Sequence, residues 1–153
     1  MGETKIDYKE NKGFWIAEIY MELTYEYILQ ALNTSVLDIP FIEEFKEDLL
    51  FHTEGLAKGM FVLTWGSFIK TKDDKQLFIS VLEEIRILLE SKGEIILAFE
   101  LNEFEIKKEE VASKWPNPIK TFEIINIIDT LILMFKGEWT KTRYGMEIDY
   151  SFF

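Results

Sequence analysis

The chain reads as an α+β protein: a mostly helical single domain with a small antiparallel sheet near the C-terminus. Three observations predict this. Four segments carry apolar residues at helical spacing between recognisable start and stop residues. One C-terminal segment alternates apolar with polar residues, the period of a strand. No repeat, low-complexity tract or linker divides the 153 residues, a length that suits one domain.

The first predicted helix follows Asn11-Lys12-Gly13 and covers Phe14 to Leu32. It is apolar nearly all round, with one polar stripe at Glu18, Glu22, Glu26 and Gln30, so it belongs largely inside the core or under a partner. A second helix fits Ile39 to Glu54, with Asp38 as N-cap, Pro40 in the first turn and Gly55 as the stop. The third opens on a capping box of Thr71 and Asp74. It presents Leu77, Phe78, Val81, Leu82, Ile85, Leu88 and Leu89 on one face and closes at Gly93. A fourth runs from Pro118 to Lys136, capped by Asn117 and ended by Gly137.

Three stretches carry weaker signals. Met60 to Ile69 fits a strand or a short helix, and Gly66 weakens both. Glu94 to Ile106 alternates through Leu97, Phe99 and Leu101 as a strand would, and is equally readable as a helix. In the tail, Trp139, Thr140 and Thr142 precede an Arg143-Tyr144-Gly145 turn. Met146, Ile148, Tyr150 and Phe152 then alternate with Glu147, Asp149 and Ser151.

Charge narrows the function. With 28 acidic against 17 basic residues the net charge is −11. Such a surface repels nucleic acid and anionic lipid and attracts a basic partner. The longest apolar run, Ile124 to Phe135, is interrupted by Asn126 and Asp129 and is too short to span a bilayer. With no cysteine and no signal-like opening, a cytoplasmic location is expected.

Catalytic tools are scarce. His52 is the single histidine. On the second helix it shares a face with Asp48 and Glu44, half of a general-base arrangement, but no serine sits in a nucleophile elbow and an ordinary ion-paired stripe explains the spacing better. One imidazole cannot build the usual zinc site, and calcium and phosphate loops are missing. No cofactor is expected. The densest acidic run, Glu100, Glu103 and Glu105 followed by Glu109 and Glu110, reads as a solvated face. Asn126, Asp129 and Thr130 read as the solvent stripe of the last helix. Trp65, Trp115, Trp139 and Tyr144 fall in loop or strand segments, where such rings either plug the core or anchor an interface.

Several segments together resemble the immunity proteins of bacterial contact-dependent growth inhibition. They are Asn11-Lys12-Gly13-Phe14-Trp15, Leu49-Leu50 with Thr53-x-Gly55, Phe68-Ile69-x-Thr71 before a long helix ending at Gly93, and Phe135-Lys136-Gly137-Glu138. The resemblance implies a cytoplasmic protein without catalysis. It would bind a cognate toxin C-terminal domain, expected to be a basic nuclease, and occlude its active or substrate-binding surface. When free it would be a monomer or weak dimer. Trp65, Glu100, Glu103, Glu105, Trp139, Tyr144, Glu147 and Asp149 are the expected toxin-binding residues. If the toxin adds a hairpin to the sheet, Tyr144 to Phe152 is the preferred edge, with Glu147 and Asp149 outward. The competing expectation is a small-molecule-binding or hydrolytic domain using His52 and nearby carboxylates.

Overall fold

Residues 14–17, expected as the first turn of a helix, are instead a strand. The computed structural model describes residues 2–53, 65–106 and 115–148. In it, β1 (Glu3–Asp7) and β2 (Gly13–Ala17) form an antiparallel hairpin with Thr4 opposite Ile16 and Ile6 opposite Phe14. The connection places Glu10 and Asn11 at positive φ, and the Lys12 amide bonds the Lys9 carbonyl at 3.0 Å. Gly13 follows under a strict demand: a Cβ there would lie 1.7 Å from the Ile6 carbonyl oxygen. Only glycine lets the two strands approach so closely.

The strand passes directly into α1 (Glu18–Thr34). The helix is enclosed as its sequence requires, and Glu26, expected on the wet stripe, is buried with the rest. Helix α2 (Ile42–Thr53) begins later than Ile39. Ile39 and Phe41 instead tuck into the core ahead of it. Helix α3 (Lys72–Ser91) matches its expected limits, and the Thr71 hydroxyl accepts from the Asp74 amide at 3.0 Å. Gly93 follows its end at φ +83°, the left-handed stop that glycine permits.

The ambiguous stretch after Gly93 resolves into both readings. A two-residue strand β3 (Ile95–Ile96) precedes helix α4 (Ala98–Ile106). Pro118 does not open the last helix. The chain first forms β4 (Ile119–Lys120), antiparallel to β3, and only then α5 (Thr121–Phe135) with Lys120 as N-cap. Of the Met60–Ile69 stretch, residues 60–64 lie outside the described residues, and Trp65–Ser67 is a short 3-10 turn.

The tail gives no antiparallel hairpin within its described part. Tyr144–Gly145, β5, adds to β2 in parallel, Phe14 opposite Tyr144, so the larger sheet runs β1-β2-β5 and its main part is N-terminal. Residues from 149 onward lie outside the described residues. The α+β, mostly helical architecture stands; the placement of its sheet is the correction.

The core is one cluster shared by the sheet, α1, α2, α3 and α5. Its hub is aromatic. Trp65 packs against Tyr25, Phe45, Phe78 and Phe135 at ring separations of 5.5, 5.2, 5.0 and 5.9 Å, within the range of favourable offset and edge contacts. Arg86 of α3 reaches Asp129 of α5 at 2.7 Å, an exposed pair that contributes little to stability.

Candidate acidic groove

The helix-forming spacing of Glu44, Glu47, Asp48 and Phe51 brings these residues to one side of α2, where they meet the turn after Trp65 and the start of α3. Together they line an open groove of about 630 Å³, bordered also by Phe41, Phe68, Lys70 and Asp74. Four carboxylates face one ammonium group across an aromatic floor. Phe51 is 49% exposed, so apolar surface is offered to a partner along with charge.

Asp48 links this groove to the core. One carboxylate oxygen accepts from Trp65 Nε1 at 2.9 Å; the other lies 4.0 Å from His52 Nε2. His52 is buried, edge-on to Tyr25 at 5.3 Å. Burial lowers its pKa and the Asp48 charge opposes that only in part, which keeps the imidazole neutral near pH 7. The face shared by Glu44, Asp48 and His52 therefore divides: the carboxylates border the groove and the imidazole turns inward.

The expected toxin-binding residues are distributed differently. Trp65 is fully buried and offers no surface to a partner; its role is packing. Glu100 is paired with Lys92, and Glu103 is exposed on the same helix. Glu105 lies in α4 as well. Trp139 is half-buried and donates from Nε1 to the Gly13 carbonyl at 2.8 Å. Its ring meets Tyr144 edge-on at 5.3 Å, and Lys141 sits 4.2 Å from the Tyr144 ring centre. The Met146 amide bonds the Trp15 carbonyl at 2.8 Å, and Glu147 beyond it is exposed. Asp149 lies outside the described residues. Trp139, Tyr144 and Glu147 thus gather beside β2 while Glu100 and Glu103 sit on α4, and no described contact joins the two groups.

Trp115 is also buried, held by Asn102, whose amide donates to its carbonyl and whose oxygen accepts from its amide, both at 2.9 Å. Asn126 and Asp129 are partly exposed as expected, but Thr130 is buried and bonds the Asn126 carbonyl at 2.8 Å. Among the described residues no cluster of three or more His, Cys, Asp or Glu side chains is arranged to hold a metal, and no helix is long and apolar enough to cross a membrane. In the sequence Glu44 and Asp48 stand out only as neighbours of His52. The signal for the groove was the acidic pairs Glu43-Glu44 and Glu47-Asp48 with Phe51 one turn on; Phe68 and Asp74 join through tertiary contact and carry no local sign.

No protein-family model, curated protein or solved structure matches the chain.

Proposed function

We propose that this protein is a stoichiometric inhibitor of the immunity type: it binds a basic toxin domain, of which a nuclease is the leading class, and covers its active or substrate-binding surface. The observation that carries the reading is the groove of Glu44, Glu47, Asp48 and Asp74 with Phe51 at its edge, on a chain of net charge −11. An acidic surface speeds encounter with a cationic face, and exposed rings supply the desolvated contact that slows release. Occlusion asks for no covalent step, and the neutral, inward-turned His52 suits a packing role. A cytoplasmic location belongs to the same proposal, because the toxin would act there.

The test is co-expression with the toxic C-terminal domain encoded by the reading frame immediately upstream, with growth as the readout. The wild-type chain restores growth and co-purifies with the domain. A variant carrying Glu44→Lys, Glu47→Lys and Asp74→Lys stays folded but loses both. Persistent growth arrest beside abundant wild-type chain defeats the inhibitor reading. Full protection by the folded triple variant removes the groove from it.

A further inference from the structure

Beside β5 a cation is already held by aromatic rings. Lys141 Nζ lies 4.2 Å from the Tyr144 ring centre and 5.5 Å from that of Trp139, within the distance at which a ring face attracts a cation. The two rings stand at 81° to each other with centres 5.3 Å apart. They form two walls of a corner, and the ammonium group sits in it. Among the described residues the other lysine–ring contacts, Lys9 on Tyr8, Lys92 on Tyr27 and Lys120 on Phe122, use one ring each.

The walls are fixed, whereas the occupant is not. Trp139 donates from Nε1 to the Gly13 carbonyl at 2.8 Å, Tyr144 lies opposite Phe14 in the sheet, and both rings pack on the core. The Lys141 carbonyl accepts from the Gly13 amide at 2.9 Å, so its backbone is held as well. Its side chain is exposed, and among the described residues no carboxylate pairs with it. Holding a long flexible ammonium side chain in one place costs rotamer entropy, so a ring contact at an exposed position retains it only weakly. Residues 138–147 carry Glu138 and Glu147 against Lys141 and Arg143. Local charge therefore balances, and it is the rings that select a cation here.

We propose that the Trp139–Tyr144 corner is a binding site for a lysine side chain of the basic partner, and that Lys141 fills it while the protein is unbound. The proposal rests on the inhibitor reading above and names the group that a second surface of the protein recognises. The occupant on view is a primary alkylammonium, so the same group brought by another molecule meets the same two ring faces. Lys141 then swings into solvent and regains its rotamer freedom, which offsets part of the ordering cost of binding. The net charge of −11 draws such a group toward the protein from a distance.

The test titrates Nα-acetyl-lysine methylamide into the full chain at constant ionic strength, following the NMR signals of the Trp139 indole N–H and the Tyr144 ring. The norleucine counterpart, an alkyl chain without the ammonium group, is the control. Only the lysine compound shifts both signals saturably. Lys141→Gln, an exposed change, empties the corner; losing a competitor held by an exposed ring contact tightens probe binding at least about threefold. Tyr144→Leu, folded by circular dichroism, loses the saturable shift at Trp139 and weakens the complex with the toxic domain. Equal shifts from the norleucine compound overturn the proposal, as does binding to Lys141→Gln that is no tighter than to wild type. So does the lack of a saturable shift in Lys141→Gln up to about 0.1 M probe. Because the probe needs no toxin, its failure leaves the inhibitor reading standing. A normal probe response beside failed growth rescue defeats the partner and not the cation site.

Discussion

The indole Nε1 of Trp65 donates a 2.9 Å hydrogen bond to Oδ2 of Asp48, tying the centre of the aromatic core to the rim of the acidic groove. The pair explains how a groove carboxylate is held in place: a fully buried tryptophan is its anchor. Replacing Trp65 by Ala removes the hub of four ring contacts and costs about 3–5 kcal/mol. Asp48→Ala leaves the indole N–H without this acceptor and costs about 1–3 kcal/mol. Urea unfolding measures both. The midpoint falls while the denaturant slope is unchanged, since native compactness is kept.

His52 makes stability depend on pH. Burial, the larger influence, lowers its pKa, and the Asp48 charge counteracts this. The folded state therefore binds fewer protons at this site than the unfolded chain does. Its contribution is complete above the unfolded value of about 6.5 and declines as pH falls through that value toward the lower folded one. The slope from one proton cannot exceed about 1.4 kcal/mol per pH unit. In His52→Gln the part of the slope that sets in below about pH 6.5 and belongs to this group disappears, while the carboxylate-driven loss at lower pH remains. Identical profiles for the two proteins contradict the assignment.

What is legible in the sequence depends on how local each signal is. Helix α3 has its start and stop within its own turn, at Thr71 and Gly93, and both were legible. Strand β2 was not. Its outward residue, Trp15, is itself apolar, so the run Phe14 to Ala17 shows no alternation of apolar with polar residues and merges with the equally apolar α1. Strand β4 consists of two residues, too short for any periodicity, which is why Pro118 reads as the opening of a helix. The pairing of Phe14 with Tyr144 joins opposite ends of the chain and has no local correlate. The same holds for the groove. Its α2 carboxylates follow from helical spacing, whereas Asp74 and Phe68 arrive by packing. Trp65 shows the limit of composition: a loop tryptophan reads as an anchor until burial assigns it to the core.

Gly13 is the most restrictive position in the hairpin. Its amide donates to the Lys141 carbonyl at 2.9 Å, its carbonyl accepts from Trp139, and the Ile6 carbonyl occupies the place of a Cβ. Backbone atoms cannot yield as a flexible side chain would. Gly13→Ala therefore forces the strands apart and costs about 1–3 kcal/mol, a fall in Tm of several degrees for a domain of this size. Trp139→Phe keeps a ring beside Tyr144 but loses the bond to the Gly13 carbonyl and part of the indole's packing, so the smaller loss expected is about 1 kcal/mol. Thermal melts rank the two. Equal stability of Gly13→Ala and wild type would show that the hairpin tolerates separation there.

The acidic groove and its aromatic edge predict a division of labour in binding. Glu44 and Glu47 border solvent and act mainly during approach, through fields that reach about 30 Å at 0.01 M salt and about 3 Å at 1 M. Reversing both to lysine lowers the association rate constant with a basic domain by about tenfold or more at low salt. At 1 M salt the difference largely vanishes, and the stability of the free protein changes by no more than about 0.5 kcal/mol. Phe51, half exposed beside them, acts after contact. Phe51→Ala leaves the association rate nearly intact and raises the dissociation rate, because the lost contribution is desolvated packing. Surface plasmon resonance across salt concentrations separates the effects. If Glu44→Lys and Glu47→Lys alter only dissociation, or if Phe51→Ala alters only association, charge and packing do not divide between approach and retention at this groove.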